Sequence, residues 1–279
     1  MSTRHDVLIT AAELARLLAA GEPVTLLDVR WTLTEPDGTA AYQAGHLPGA
    51  VYVSLDDELS DHSVPGRGRH PLPSGAALQQ AARRWGVRRG VPVVVYDDWN
   101  RAGSARAWWV LTAAGIPDVR ILDGGLAAWT GELHTGTVVP EPGDIAVEHD
   151  DLYHGARKTI TADNALGAPT LLDARPPERY RGDSETVDPV AGHIPGAINL
   201  PSTGLLGGDG TLLPDADLTA LFDARGVGSS DVAVYCGSGV TASLVVAALA
   251  TAGVDAALFP GSWSQWSSEP TRPVALGNE

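Results

Sequence analysis

The sequence predicts two α/β domains, each a mainly parallel sheet flanked by helices, and three observations lead there. The chain has 279 residues, more than a single domain of ordinary size and enough for two, each with its own core. Its phrases return once, in the same order: TLLDVR from Thr25 as TLLDAR from Thr170, GHLPGA from Gly45 as GHIPGA from Gly192, VVVYDD from Val93 as VAVYCG from Val232, and DGGLAAW ending at Trp129 as PGSWSQW ending at Trp266. Within each half, short apolar runs alternate with helical patterns, as parallel strands covered by helices require.

Along the chain, Thr10-Ala-Ala-Glu13 is a capping box opening a helix to about Ala20, and Thr161 opens the equivalent helix of the second half. TLLDVR and VPVVVYD are brief β-branched runs suited to strands buried on both faces. SGAALQQAARRWGV and SARAWWVLTAAG have helical periodicity. GTVVPEPGD, with turn residues and no period, reads as part of a linker. The expected division is a domain over residues 1–135, a linker over 136–157 and a second domain over 158–279.

Composition narrows the function. The 19 Lys+Arg against 34 Asp+Glu give a formal charge of -15, which repels polyanions, so nucleic acid is not expected as a partner. No run approaches the roughly 18 apolar residues of a spanning helix, so no membrane partner is expected either. MSTRHDVLIT lacks the apolar core and cleavage site of a secretory signal, and the single cysteine forms no internal disulfide; a cytoplasmic location is the expectation.

The repeat serves as an internal control, because residues present in both halves are explained by the fold before any active site. His46 and His193, both in G-H-[LI]-P-G-A, and the pairs Asp28/Arg30 and Asp173/Arg175 are therefore assigned to structure. The sharpest difference is that Cys236 stands opposite Asp97. VAVYC-GSGVTAS-LVVAALATAG reads as strand, tight loop and helix, so the cysteine sits at a strand's carboxyl end, where open α/β sheets bind ligands. Backbone N–H groups of a loop holding Gly237 and Gly239, with the helix dipole, would stabilise a thiolate or persulfide anion. A C-x5-R phosphatase loop would need arginine where Ala242 stands, and there is no second cysteine for a C-x-x-C pair or zinc cluster. Group transfer through one cysteine remains.

The duplicated G-H-[IL]-P-G-A, the D-A-R phrase, CGSGVTAS at Cys236 to Ser243 and the closing GSW-x-x-W resemble tandem-domain rhodaneses, and the cysteine loop resembles that of 3-mercaptopyruvate sulfurtransferases. The resemblance implies two rhodanese-like domains, the first without the cysteine, and a site at their interface. It implies that Cys236 takes sulfur from a small-molecule donor, holds it as a persulfide, and passes it to a small thiol, thioredoxin or cyanide, with no metal or cofactor. Ser238 would form a proton-transferring set with His70 and Asp56, Asp57 being the alternative aspartate. Arg179, whose counterpart four residues beyond Arg30 is Thr34, would bind the donor carboxylate beside loop residues Gly237, Gly239, Val240 and Thr241. A second carboxylate-binding arginine before G-H-I-P-G is missing, with Arg181 as its substitute. Gly237 and Ser238 bring no side-chain cation for a dianion, so 3-mercaptopyruvate is expected over thiosulfate as donor, with a non-catalytic persulfide-binding module as a third reading.

Overall fold

The computed structural model describes residues 3–228 and 231–278. Strands β1 (Leu8–Ile9), β2 (Thr25–Asp28), β3 (Val51–Tyr52), β4 (Val93–Tyr96) and β5 (Val119–Leu122) form one sheet in the order β1-β5-β4-β2-β3. Strands β6 (Thr170–Asp173), β7 (Ile198–Asn199), β8 (Val232–Tyr235) and β9 (Ala257–Leu258) form a second in the order β7-β6-β8-β9. Every pairing is parallel, with Leu27 opposite Val95 in the first sheet and Leu172 opposite Val234 in the second. The central strands β4 and β8 are buried at every residue, which explains their unbroken apolar runs.

The capping box forms as its residues dictate. Glu13 N–H donates to Thr10 Oγ1 at 3.2 Å and Thr10 N–H donates to Glu13 Oε2 at 2.9 Å, starting the Ala11–Ala19 helix. Thr161 caps the short Ala162–Ala165 helix, without a side-chain bond. The periodic segments become the Gly75–Arg84 and Ala102–Ala113 helices.

Ala102–Ala113 packs on its counterpart Thr241–Thr251, and the two helices join the domains. Both are buried around nearly their whole circumference, so neither carries a polar face. The apolar cluster is continuous across that contact, from Val95 and Trp109 to Val234 and Leu249. Arg4 adds a tie between domains, donating to the carbonyls of Leu212 at 2.7 Å and Leu213 at 2.9 Å.

The residues shared by both halves do the same work in each. His46 Nδ1 meets the Tyr42 carbonyl at 2.9 Å, and His193 Nδ1 meets the Tyr180 carbonyl at 2.8 Å, each ring stacked on that tyrosine. Arg30 and Arg175 bind Asp28 and Asp173 and also donate to the carbonyls of Gly45 and Gly192, tying each strand end to its Pro-Gly turn. Among the described residues no helix is long and apolar enough to cross a membrane, and no group of three or more His, Cys, Asp and Glu is placed to hold a metal ion.

Candidate active site

Cys236 follows β8 directly and precedes the Thr241–Thr251 helix. Its side chain is buried, and the Gly239 N–H donates to its Sγ at 3.2 Å. Behind the loop, Cys236 N–H donates to Ser262 Oγ at 3.1 Å, while the Cys236 and Gly237 carbonyls accept from the Trp263 and Ser264 N–H groups at 3.0 and 2.9 Å. The G-S-W phrase thus builds the floor of the cysteine loop. Gly239 is required there, since its φ is +78° and a Cβ would lie 2.5 Å from the Pro260 carbonyl oxygen. Gly239→Ala is expected to cost about 1–3 kcal/mol through backbone strain. Thermal unfolding would register that loss, and an unchanged transition would show that the loop yields freely.

Cys236 opens on a cavity of about 300 Å³ between the domains, with Trp31, Arg69 and Trp99 from the first and Arg179, Gly237 and Ser238 from the second. Val240 and Thr241 line it as well. A larger cleft of about 720 Å³ near Tyr153 and Arg157 contains none of these groups. The candidate site is therefore the smaller cavity, where Cys236 opens.

Three residues far apart in sequence meet beside the cysteine loop. His70 Nδ1 lies 2.8 Å from Ser238 Oγ, and His70 Nε2 lies 3.3 Å from Asp56 Oδ1. Asp56 also accepts from Trp31 Nε1 at 3.1 Å. Asp57 instead binds Ser54 at the start of the Leu55–Glu58 helix, so it is Asp56 that faces the imidazole. Burial, then the charges of Arg106, Arg69 and His62, push the His70 pKa from 6.5 down to about 3. His70 is neutral at physiological pH. Because a carboxylate only accepts, the proton sits on Nε2 and leaves Nδ1 to accept from the Ser238 hydroxyl.

Arg179 and Arg69 converge on the loop from opposite domains. A Cβ on Gly237 would lie 3.0 Å from Arg69 Nη2 and 3.6 Å from Arg179 Nη1. Arg179 Nη2 donates to Glu185 at 2.8 and 2.9 Å and to Asp188 Oδ2 at 3.0 Å, while Arg69 Nη1 binds the other oxygen of Asp188. Burial works against the Glu185 carboxylate, but the Asp188 and Val187 N–H groups and Arg179 together hold its pKa below the usual range. The acids hold the arginines from behind, and one Nη of each is directed toward the loop.

Two expectations change here. Arg181 pairs with Asp183 and does not line the cavity. The second cation is Arg69, so the loop does not lack a side-chain charge: it is lent by the other domain. The sequence placed Arg69 next to His70, but not against Gly237. That contact depends on the crossing of Gly68 over Gly261, where φ is +84° and a Cβ would meet the Gly261 carbonyl at 2.4 Å. Arg69 N–H also donates to Ser264 Oγ at 3.0 Å, fixing the same crossing.

Comparison with known proteins agrees with this architecture. The family model of the rhodanese-like domain matches residues 10–132 and again residues 157–269. SseB of Mycobacterium tuberculosis (strain ATCC 25618 / H37Rv), named provisionally as a thiosulfate sulfurtransferase, is 66% identical over 99% of both chains. The 3-mercaptopyruvate sulfurtransferase of Escherichia coli (strain K12) is 37% identical over 84% of both chains. The crystal structure of Escherichia coli SseA, described as having the rhodanese fold, superposes with a TM-score of 0.79 at 32% identity, covering 94% of this chain and 100% of that one. With the domain matched twice and sulfurtransferases similar along most of its length, the chain belongs to the rhodanese family and is a two-domain sulfurtransferase.

Proposed function

We propose that the chain moves sulfur from 3-mercaptopyruvate to a thiol or cyanide through a persulfide on Cys236. The observation that carries this reading is the cysteine's setting: Sγ accepts an N–H at a helix N-terminus and opens on a cavity lined by Ser238, whose hydroxyl meets His70, which in turn meets Asp56. A thiolate or persulfide anion is stabilised there by the N–H groups and the helix dipole.

In the first half-reaction the Cys236 thiolate attacks the donor sulfur. An S–S bond forms, the donor C–S bond breaks, and its electron pair leaves as the enolate of pyruvate, which takes the proton released by the cysteine. Ser238 and neutral His70 relay that proton, with Asp56 orienting the imidazole. In the second half-reaction an acceptor thiolate or cyanide attacks the outer sulfur and restores the Cys236 thiolate.

Arg69 and Arg179 hold the donor carboxylate with two N–H groups whose positive charge Glu185 and Asp188 largely balance. A planar monoanion gains from such directed donors, whereas a compact dianion depends more on net positive charge. Thiosulfate is the second reading, because Arg69 brings a cation to Gly237 and because the Mycobacterium tuberculosis relative is named for that donor. A steady-state comparison of the two donors with one thiol acceptor decides between them. Higher kcat/KM for mercaptopyruvate is expected, and a preference for thiosulfate would overturn the donor assignment. Arg69→Ala and Arg179→Ala should each raise the KM for mercaptopyruvate by the loss of a charged hydrogen bond, about 1.5–3 kcal/mol. Transfer from preformed persulfide to a neutral thiol should change far less; equal damage to both half-reactions would mean a collapsed loop.

A further inference from the structure

Arg106 is a buried cation that the reaction above does not use. It lies on the Ala102–Ala113 helix with no solvent exposure. Its Nε and Nη2 donate to the Leu59 carbonyl at 3.3 and 3.1 Å, and Nη2 also reaches the carbonyls of His70 at 3.0 Å and Pro71 at 3.4 Å. Nη1 has no hydrogen-bond partner, and among the described residues no carboxylate forms an ion pair with this guanidinium. Burial lowers its pKa to about 10, opposed by Tyr153 and Cys236, so it stays charged at neutral pH.

A buried charge held only by carbonyls is costly and calls for a reason. The internal repeat supplies one. The alignment that sets Asp97 opposite Cys236 sets Arg106 opposite Val245. The helix bearing Arg106 packs on the helix that follows Cys236, so the cation is supplied by the domain that lacks the cysteine and stands on the side of the cysteine.

We propose that Arg106 is a positioning residue for sulfur transfer: it fastens the Asp56 helix and the His70 loop into one frame, and its buried charge faces the relay and favours the anion on Cys236. The inference rests on the roles given above to Cys236 and His70. Leu59 directly follows the Leu55–Glu58 helix that carries Asp56, and the His70 carbonyl belongs to the relay residue itself. One guanidinium thus spans both backbone segments, which the Asp61 N–H also joins by donating to the Pro71 carbonyl at 3.0 Å. The groups facing His70 are Asp56 and Ser238 at hydrogen-bond range, the His62 ring at 5.9 Å between centroids, and the cations Arg69 and Arg106. Of these, Asp56 is the carboxylate, 3.3 Å from Nε2.

The test follows the His70 ring by NMR, its signal identified by loss in His70→Asn, alongside the rate of sulfur uptake measured by intact mass. In the wild type the ring should not titrate between about pH 5 and 8. In Arg106→Met the midpoint should rise above that of the wild type, although burial still holds it below the ordinary value, and uptake at neutral pH should slow roughly tenfold or more. Arg106→Lys keeps the charge without the fork, so the titration should stay outside the range while uptake is intermediate. A folded Arg106→Met with the wild-type titration overturns the proposal. If Arg106→Met does not fold, Arg106→Lys decides, because unimpaired uptake in that variant also overturns it. Failure of the wild type to take up sulfur would instead refute the reading of Cys236, and the titration would remain a separate measurement.

Discussion

Cys236→Ser is expected to lose sulfur transfer completely while keeping its fold. The Sγ accepts one hydrogen bond, from the Gly239 N–H at 3.2 Å, and a serine oxygen can accept the same bond. What disappears is the nucleophile, because a hydroxyl is far less acidic and less nucleophilic toward sulfur than a thiol and forms no persulfide. Moving the thiol to the other domain should not repair the loss. Asp97 occupies the equivalent place, but its carboxylate is enclosed by the N–H groups of Trp99, Arg101 and Ser104 and by an ion pair with Arg101. Trp99 stands where the second domain has Ser238, and Thr34 where it has Arg179. Steady-state turnover of the Asp97→Cys, Cys236→Ser double variant should therefore be absent, and transfer by it would contradict the unequal roles of the domains.

His70→Asn should produce the second large effect, a fall in kcat/KM of roughly 10²–10⁴-fold, the usual contribution of a positioned general base. Ser238→Ala should cause a loss of similar order, and the double variant little more, since members of one relay are not additive. The histidine also shapes the response to acid. Its native pKa of about 3 lies below the ordinary 6.5. Between those values the unfolded chain binds a proton that the native chain does not, so stability is lost as pH falls through that interval. His70→Asn removes this contribution, and its unfolding free energy should vary less with pH from about 6.5 downward. Equal pH slopes in urea unfolding would show that His70 is not held neutral.

The two-domain division and the position of the thiol were legible because both follow from local patterns. Repeated phrases set β2 against β6 and β4 against β8, and strand–loop–helix punctuation around CGSGVTAS is enough to put Cys236 at a strand end. The union of Asp56, His70 and Ser238 was only suggested by resemblance. Asp56 and His70 are separated by an aperiodic segment, and their pairing depends on that segment folding back against the Arg106 guanidinium. Arg69 and Asp188 were hidden for a similar reason. Each lies in a loop without a period, and only the close passage of Gly68 across Gly261 brings Arg69 to the other domain. Arg106 reads in sequence as one polar residue of a helix. Its complete burial follows from helix packing between the domains, which no local pattern records.

Intact-mass measurement after donor is added without acceptor tests the central claim most directly. The wild type should gain one sulfur atom and lose it again when a thiol is supplied, and Cys236→Ser should gain none. A Cys236→Ser protein that still takes up sulfur and passes it on would contradict the account.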